Sequence, residues 1–207
     1  MKKNVGISYK AFAVILAAVL ILGGAIGGTM AWLIDDTNAV ANTFTYGDIN
    51  IGLMESTGND YKIVPGLNIT KDPTVTVTAG SEDCWLFVKV EEKHWPEFTE
   101  EGTETRKVDY SIAEDWTHLD GVPGVYYCQV ESSDEDVSFG VLKGNQITVS
   151  ENLEKSEVDK VKANEPNLTF TAYAVQLYKT NVNGNDNDKF TAAEAWAKVS
   201  GTSTTNN

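Results

Sequence analysis

The hydrophobic pattern changes character at Asp35. Before it, Ala11–Ile34 runs for 24 residues without a charge; after it, short alternating stretches are separated by polar, acidic connections. Alternation is the mark of half-buried strands, whose side chains point to opposite faces in turn. Thr74–Thr78 alternates valine with threonine, and Pro73 stands at its start, where a missing N–H is tolerated. In Cys84–Glu92 one face carries Cys84, Leu86, Val88 and Val90, opposite Trp85, Phe87, Lys89 and Glu91. Val125–Glu131 alternates likewise. With Tyr110–Trp116 it is expected to form a hairpin around Asp120–Gly124, and Val137–Leu142 and Gln146–Val149 a second one around Lys143-Gly144-Asn145. Leu168–Tyr178 is apolar or aromatic on both faces, which predicts a central strand covered on both sides.

Two stretches break this pattern in informative ways. Asn38–Leu53 reads as extended, yet Phe44 and Tyr46 fall on one face while Ile49, Ile51 and Leu53 fall on the other. One residue must be absorbed between them, and Gly47-Asp48 is the natural bulge or kink. The chain before Gly47 can therefore leave the direction of the strand after it. Ser150–Asn164 has Leu153, Val158 and Val161 as its main apolar residues among many charges, and predicts a short helix or an exposed excursion. His94–Asp109 reads as a solvated loop and Ser56–Tyr61 as a polar turn. Thr191-Ala192-Ala193-Glu194 is a capping-box pattern and starts a last helix running to Val199. Seven or more short strands between turns predict an all-β, antiparallel β-sandwich with a short C-terminal helix.

The uncharged N-terminal run predicts a hydrophobic signal helix. Lys2, Lys3 and Lys10 precede it, and Thr29-Met30-Ala31 offers small residues where a signal peptidase cuts. Cleavage between Ala31 and Trp32 leaves an exported chain starting at Trp32. The alternative is retention as a membrane anchor, since about 20 apolar residues span a bilayer. The domain plan is then a signal peptide at 1–31, an N-terminal extended segment at 32–47, a β-sandwich domain at 48–200 and a disordered tail at 201–207.

Charge narrows the partners. All 30 acidic residues follow Ala31 and 3 of the 16 basic residues precede it, so the chain from Trp32 carries 13 bases against 30 acids, a formal −17. Such a chain repels nucleic acid and anionic membrane surfaces, and no basic patch offsets this. Cys84 and Cys128 both sit on apolar strand faces. In an exported protein they form either a disulfide or two buried free thiols.

The leader end and first strand, GGTMAWLIDDTNAVANTFTYGDINIGLME, resemble the start of TasA/camelysin-like secreted proteins, which carry SipW-dependent signal peptides. PGLNITKDPTVTVTAG, CWLFVKVEE, and LTFTAYAVQ followed by AAEAWAKV are similar to further blocks of that family, in the same order. The resemblance implies a jelly-roll version of the sandwich. It also implies a structural protein of the extracellular biofilm matrix or cell surface, assembling into fibres by donor-strand complementation. Its partners would be itself or related matrix subunits, and a dedicated signal peptidase during export. Trp32, Leu33, Ile34 and Phe44 are then the expected donor-strand residues: cleavage makes them a terminus too apolar for a free tail, and the Gly47 kink sets them off.

Camelysin relatives are classed as metallopeptidases, a second reading with its own requirements. A catalytic zinc takes three protein ligands, and here His94 and His118 stand 24 residues apart with no paired Glu-x-x-His. No nucleophile motif is present either. Asn183, Asn185, Asn187 and Glu194 fall at EF-hand positions, but Asp188 replaces the required glycine and Glu194 is claimed by the capping box. The expectation is a non-enzyme without metal or other cofactor. A membrane-anchored surface-binding module with an uncleaved leader is the third reading.

Overall fold

The computed structural model describes residues 32–34, 42–57, 61–164, 166–179 and 188–201. The predicted leader, the segment 35–41, the loop 180–187 and the tail 202–207 lie outside the described residues. In chain order the strands are β1 (Trp32–Ile34), β2 (Asn42–Tyr46), β3 (Ile51–Met54), β4 (Tyr61–Ile63), β5 (Ile69–Thr70), β6 (Thr74–Val77) and β7 (Cys84–Lys93). There follow β8 (Val108–Asp109), β9 (Thr117–His118), β10 (Val125–Val130), β11 (Val137–Gly140), β12 (Gln146–Val149) and β13 (Asn167–Gln176). Two helices complete the described chain, α1 (Lys155–Asn164) and α2 (Ala192–Val199).

These strands form a five-stranded sheet, β2-β13-β7-β10-β9, two three-stranded sheets, β11-β6-β3 and β5-β12-β8, and a two-stranded ribbon, β1-β4. The pairings are antiparallel with one exception: β2 runs parallel to β13. The main core gathers alternate residues from these layers. Cys84, Leu86, Val88 and Val90 of β7 and Ala172 and Ala174 of β13 pack with Val75 and Val77 of β6, Ile147 and Val149 of β12, and Val108. The Val/Thr alternation of β6 holds as expected: its valines are buried and its threonines half-buried.

A second, smaller core lies on the opposite face of the five-stranded sheet. Phe87, Val125 and Val175 are buried there with Ala195 of α2, and Trp85, Tyr127, Tyr173 and Trp196 pack around them. This is why β7 and β13 are apolar on both faces: α2 covers the side that the other sheets do not. The capping box that starts α2 is complete, with the Thr191 hydroxyl accepting from the Glu194 N–H and the Glu194 carboxylate accepting from the Thr191 N–H.

One predicted hairpin is corrected outright, and the other keeps its Asp120–Gly124 turn, between β9 and β10, but not its first strand. β11 and β12 do not pair with each other; β11 pairs with β6, and β12 with β5 and β8. The Lys143-Gly144-Asn145 turn instead carries the chain from one three-stranded sheet to the other, through Gly144 at φ 67°. Nor is Tyr110–Trp116 a strand. Trp116 N–H closes a turn on the Ala113 carbonyl at 3.2 Å, and its indole Nε1 donates to the Gly140 carbonyl at 2.9 Å. Burying that ring bends the backbone out of line, so only Thr117-His118 is left to pair with β10. His94–Asp109 is also less solvated than expected: it holds β8, and the Trp95 indole donates to the Val108 carbonyl at 3.2 Å.

Ser150–Asn164 resolves to a helix held from three sides. Leu153 ahead of α1 and Val158 and Val161 within it are buried in the main core. The Lys107 ammonium donates to both Glu157 carboxylate oxygens, at 2.9 and 3.0 Å, and Lys160 Nζ stands 6.0 Å above the Phe98 ring. Burial would raise the Glu157 carboxyl, but the Glu154 N–H and the Lys107 ammonium hold it below its ordinary value. A depressed folded value means this contact stabilises the fold above the ordinary glutamate range and is lost as pH falls through the folded value. Hydrogen exchange over 155–164 should therefore accelerate selectively from about pH 4 downward. Equal acceleration in β7 would show global acid unfolding instead.

Candidate functional site

The four residues expected to act in assembly fall on two strands with different partners. Trp32, Leu33 and Ile34 form β1, antiparallel to β4, with Trp32 opposite Ile63, Leu33 opposite Lys62 and Ile34 opposite Tyr61. Phe44 lies in β2, opposite Tyr173 in the parallel register with β13. Helix α1 lies against β1, and helix α2 against β2. The described parts of the N-terminal segment, 32–34 and 42–46, are thus strands. Its partner β4 was missed, because three residues between a polar turn and Pro65 carry too little alternation to register as a strand.

Gly47 makes the predicted kink. Its φ is +111°, a conformation that disfavours side chains, and a Cβ there would lie 3.0 Å from Gln176 Cβ. Beyond the kink the Glu82 N–H donates to the Asp48 carbonyl at 3.3 Å and the Thr78 N–H to the Asn50 carbonyl at 2.9 Å. The chain leaves the five-stranded sheet and enters the sheet of β3, where Ile49 is buried in the main core. The change of face along Asn38–Leu53 therefore has a simple cause: one extended run serves two sheets.

The approach to β4 is fixed by polar contacts. Lys71, itself buried, donates to both carboxylate oxygens of Glu55 at 2.7 and 2.9 Å and stands 5.6 Å above the Phe170 ring. Asp72 accepts from the Ser56 hydroxyl, from the Ser56 N–H at 2.9 Å and from the Thr57 N–H at 3.2 Å. The Ser56 hydroxyl does most to hold the Asp72 carboxyl below its ordinary value, against a smaller opposing effect of burial.

Cys84 and Cys128 stand on neighbouring strands, both toward the main core, and both are free. In the register Cys84 faces Val130 and Cys128 faces Leu86, so the two are diagonal neighbours rather than an opposed pair. Diagonal neighbours are typically about 7–8 Å apart, beyond the usual disulfide span. Burial pushes both thiols up to about 12. Since the thiolate is the nucleophile, native protein at pH 8 should alkylate about a thousandfold more slowly than an exposed cysteine. Mass spectrometry should find two modifiable thiols after unfolding without reductant. Recovery of a single unreactive Cys84–Cys128 species would overturn this.

The two histidines do not converge. His94 is exposed just past β7, at φ 52°. His118 is exposed in β9 with its ring 5.2 Å from that of Tyr126. The register places His118 two strands across from Val88, which puts the two rings on the order of 20 Å apart along the strands. Among the described residues no group of three or more His, Cys, Asp or Glu is placed to hold a metal ion. Asn183, Asn185 and Asn187 lie outside the described residues. Glu194 caps α2 and pairs with Lys179 at 3.1 Å. Among the described residues no helix is long and apolar enough to cross a membrane. No protein-family model, curated protein or solved structure matches the chain.

Proposed function

We propose that this chain is an exported structural subunit of the TasA/camelysin-like kind, a jelly-roll β-sandwich that builds fibres of an extracellular matrix or cell surface. Its leader is cut between Ala31 and Trp32, and the new terminus is donated as a strand to a neighbouring subunit. The observation that carries the reading is β1 itself. The three apolar residues directly after the cleavage point take strand form and pair along an edge strand. Strand addition draws affinity from main-chain hydrogen bonds and specificity from alternate side chains. A head-to-tail contact that does not close gives an open filament.

The test is to image the chain 32–207 by negative stain, beside mass analysis of the exported form. The expected results are filaments and an N-terminal Trp32. A protein that stays monomeric at every concentration and salt would overturn the reading, and an exported form with intact Met1 would favour the anchored module. On this reading the protein carries no catalysis of its own. It should neither bind zinc stoichiometrically nor cleave casein above background. A chelator-sensitive protease activity lost in His94→Ala or His118→Ala would refute that.

A further inference from the structure

Among the described residues, Lys71 is the only buried charged residue, 4 % exposed. Its backbone is fixed on both sides: the Lys71 N–H donates to the Asn145 carbonyl at 2.8 Å, and Pro73 is fully buried. Its partner Glu55 stands just past the end of β3, where Met54 lies opposite Thr74 of β6. The Lys71 ammonium donates to Glu55 Oε1 at 2.7 Å and to Oε2 at 2.9 Å. The ring of Phe170, itself buried, has its centroid 5.6 Å from Lys71 Nζ. The Thr57 hydroxyl stands 3.2 Å from Glu55 Oε1 and 3.0 Å from Asp72 Oδ1.

As an ion pair this arrangement contributes little, because desolvation offsets much of the attraction between buried charges. Its geometry suits a reaction. Two nearly equal N···O distances put Glu55 Cδ about 3 Å from Lys71 Nζ, the separation of a near-attack pair, and the fold holds both groups there. We propose that Lys71 and Glu55 condense to an intramolecular amide that staples the end of β3 to the chain entering β6. The ammonium passes one proton to the carboxylate, which leaves a neutral amine beside a neutral acid. The nitrogen lone pair attacks Cδ, and the new C–N bond forms. A second nitrogen proton goes to Oε1, the C–Oε1 bond breaks, and water leaves. The Thr57 hydroxyl, donating to Oε1, stabilises that oxygen as it departs. Nothing is oxidised or reduced, and no co-reactant is needed. The product replaces two buried charges by a neutral amide beside the Phe170 ring and bridges residues 16 apart in sequence. In a chain whose two thiols are free, this is a cross-link that reductant does not open. The bond forms within one chain, so it stands or falls independently of the assembly reading.

The test is a mass. The chain 32–207, purified folded and then denatured, should be lighter than its sequence by one water. Trypsin should leave Lys71 uncut, and residues 32–62 should be recovered joined to residues 63–89. Wild type kept unfolded in urea from the start should keep its full mass, because the positioning is lost. Lys71→Arg keeps the charge and its hydrogen bonding but offers no condensing amine, so it should also keep its full mass. Thr57→Val should fold at the wild-type rate by circular dichroism, yet lose water about a hundredfold more slowly. A folded wild type that stays at full mass after days of incubation would overturn the proposal. So would a water loss that persists in Lys71→Arg or that hydroxylamine removes, since that marks a succinimide, as at Asp120-Gly121, rather than an amide. If Lys71→Arg fails to fold, the wild-type peptide map decides alone: joined peptides establish the bond, and separate ones exclude it.

Discussion

A mature chain shortened to begin at Asn42 should remain a folded monomer and form no filaments at any concentration at which the full mature chain does. The cut is chosen from the fold. It removes β1 and the linker but keeps β2 and its five-residue parallel pairing with β13, so the five-stranded sheet stays intact. What is lost is the strand edge pairing with β4 and three apolar side chains. Burying Trp32, Leu33 and Ile34 in a neighbour would contribute roughly 1.5–3 kcal/mol each before the cost of ordering the terminus. Elongation by strand donation has no substitute for that contact, so the expected effect is loss rather than slowing. A tag placed ahead of Trp32 should block growth too if the terminus must enter a bounded site. Electron microscopy and sedimentation decide. Fibres of unchanged width from the shortened chain would end the mechanism, and a spectroscopically unfolded product would show that β1 is needed for folding itself.

Sequence alone located the strong strands because their patterns are local. Val75 and Val77 alternate with threonines, and Cys84–Val90 shows a full apolar face; both appear as strands with those residues buried. The two-sided pattern of Leu168–Tyr178 correctly implied a central strand, since β13 lies between β2 and β7. The β11–β12 hairpin failed because nearness in sequence was taken for pairing. β11 and β12 are separated by a turn, yet each finds its hydrogen bonds with strands at least 37 residues away. Turn chemistry says that the chain reverses. It does not say which sheet it re-enters.

The candidate site was legible in one half only. The apolar start at Trp32 and the parity break at Gly47 were readable, because both depend on neighbours in sequence. Its counterpart was not. Tyr61–Ile63 is three residues long, and the helix that lies against the strand it pairs with, α1, is about a hundred residues downstream. Leu153, Val158 and Val161 were visible as isolated apolar residues in a charged stretch. Their burial against the main core, rather than on a free helix, is a tertiary fact with no local signature.

The largest single loss of stability is expected not in the main core but on the face closed by α2. Phe87 is fully buried there, its ring centroid 5.4 Å from that of Trp196 and 6.2 Å from that of Tyr127. Trp196 is also edge-on to Tyr173 at 5.0 Å. Phe87→Ala removes the ring from the centre of a small cluster that α2 closes from one side. The cost of such a deletion is about 3–5 kcal/mol, a large share of the roughly 5–15 kcal/mol that holds a domain folded. The urea midpoint should fall by more than about 1 M with an unchanged slope. Trp196→Ala should cost less, because Trp196 is only half-buried. The double variant should be less damaged than the sum, by about 0.5–1.5 kcal/mol, since the two rings share one contact. Because α2 also lies against β2, exchange at Asn42–Tyr46 should rise in Phe87→Ala. That joins the stability of this face to the strand that follows the proposed donor segment. A midpoint shift equivalent to under 1 kcal/mol with strictly additive variants would mean that α2 is not packed on the sheet as described.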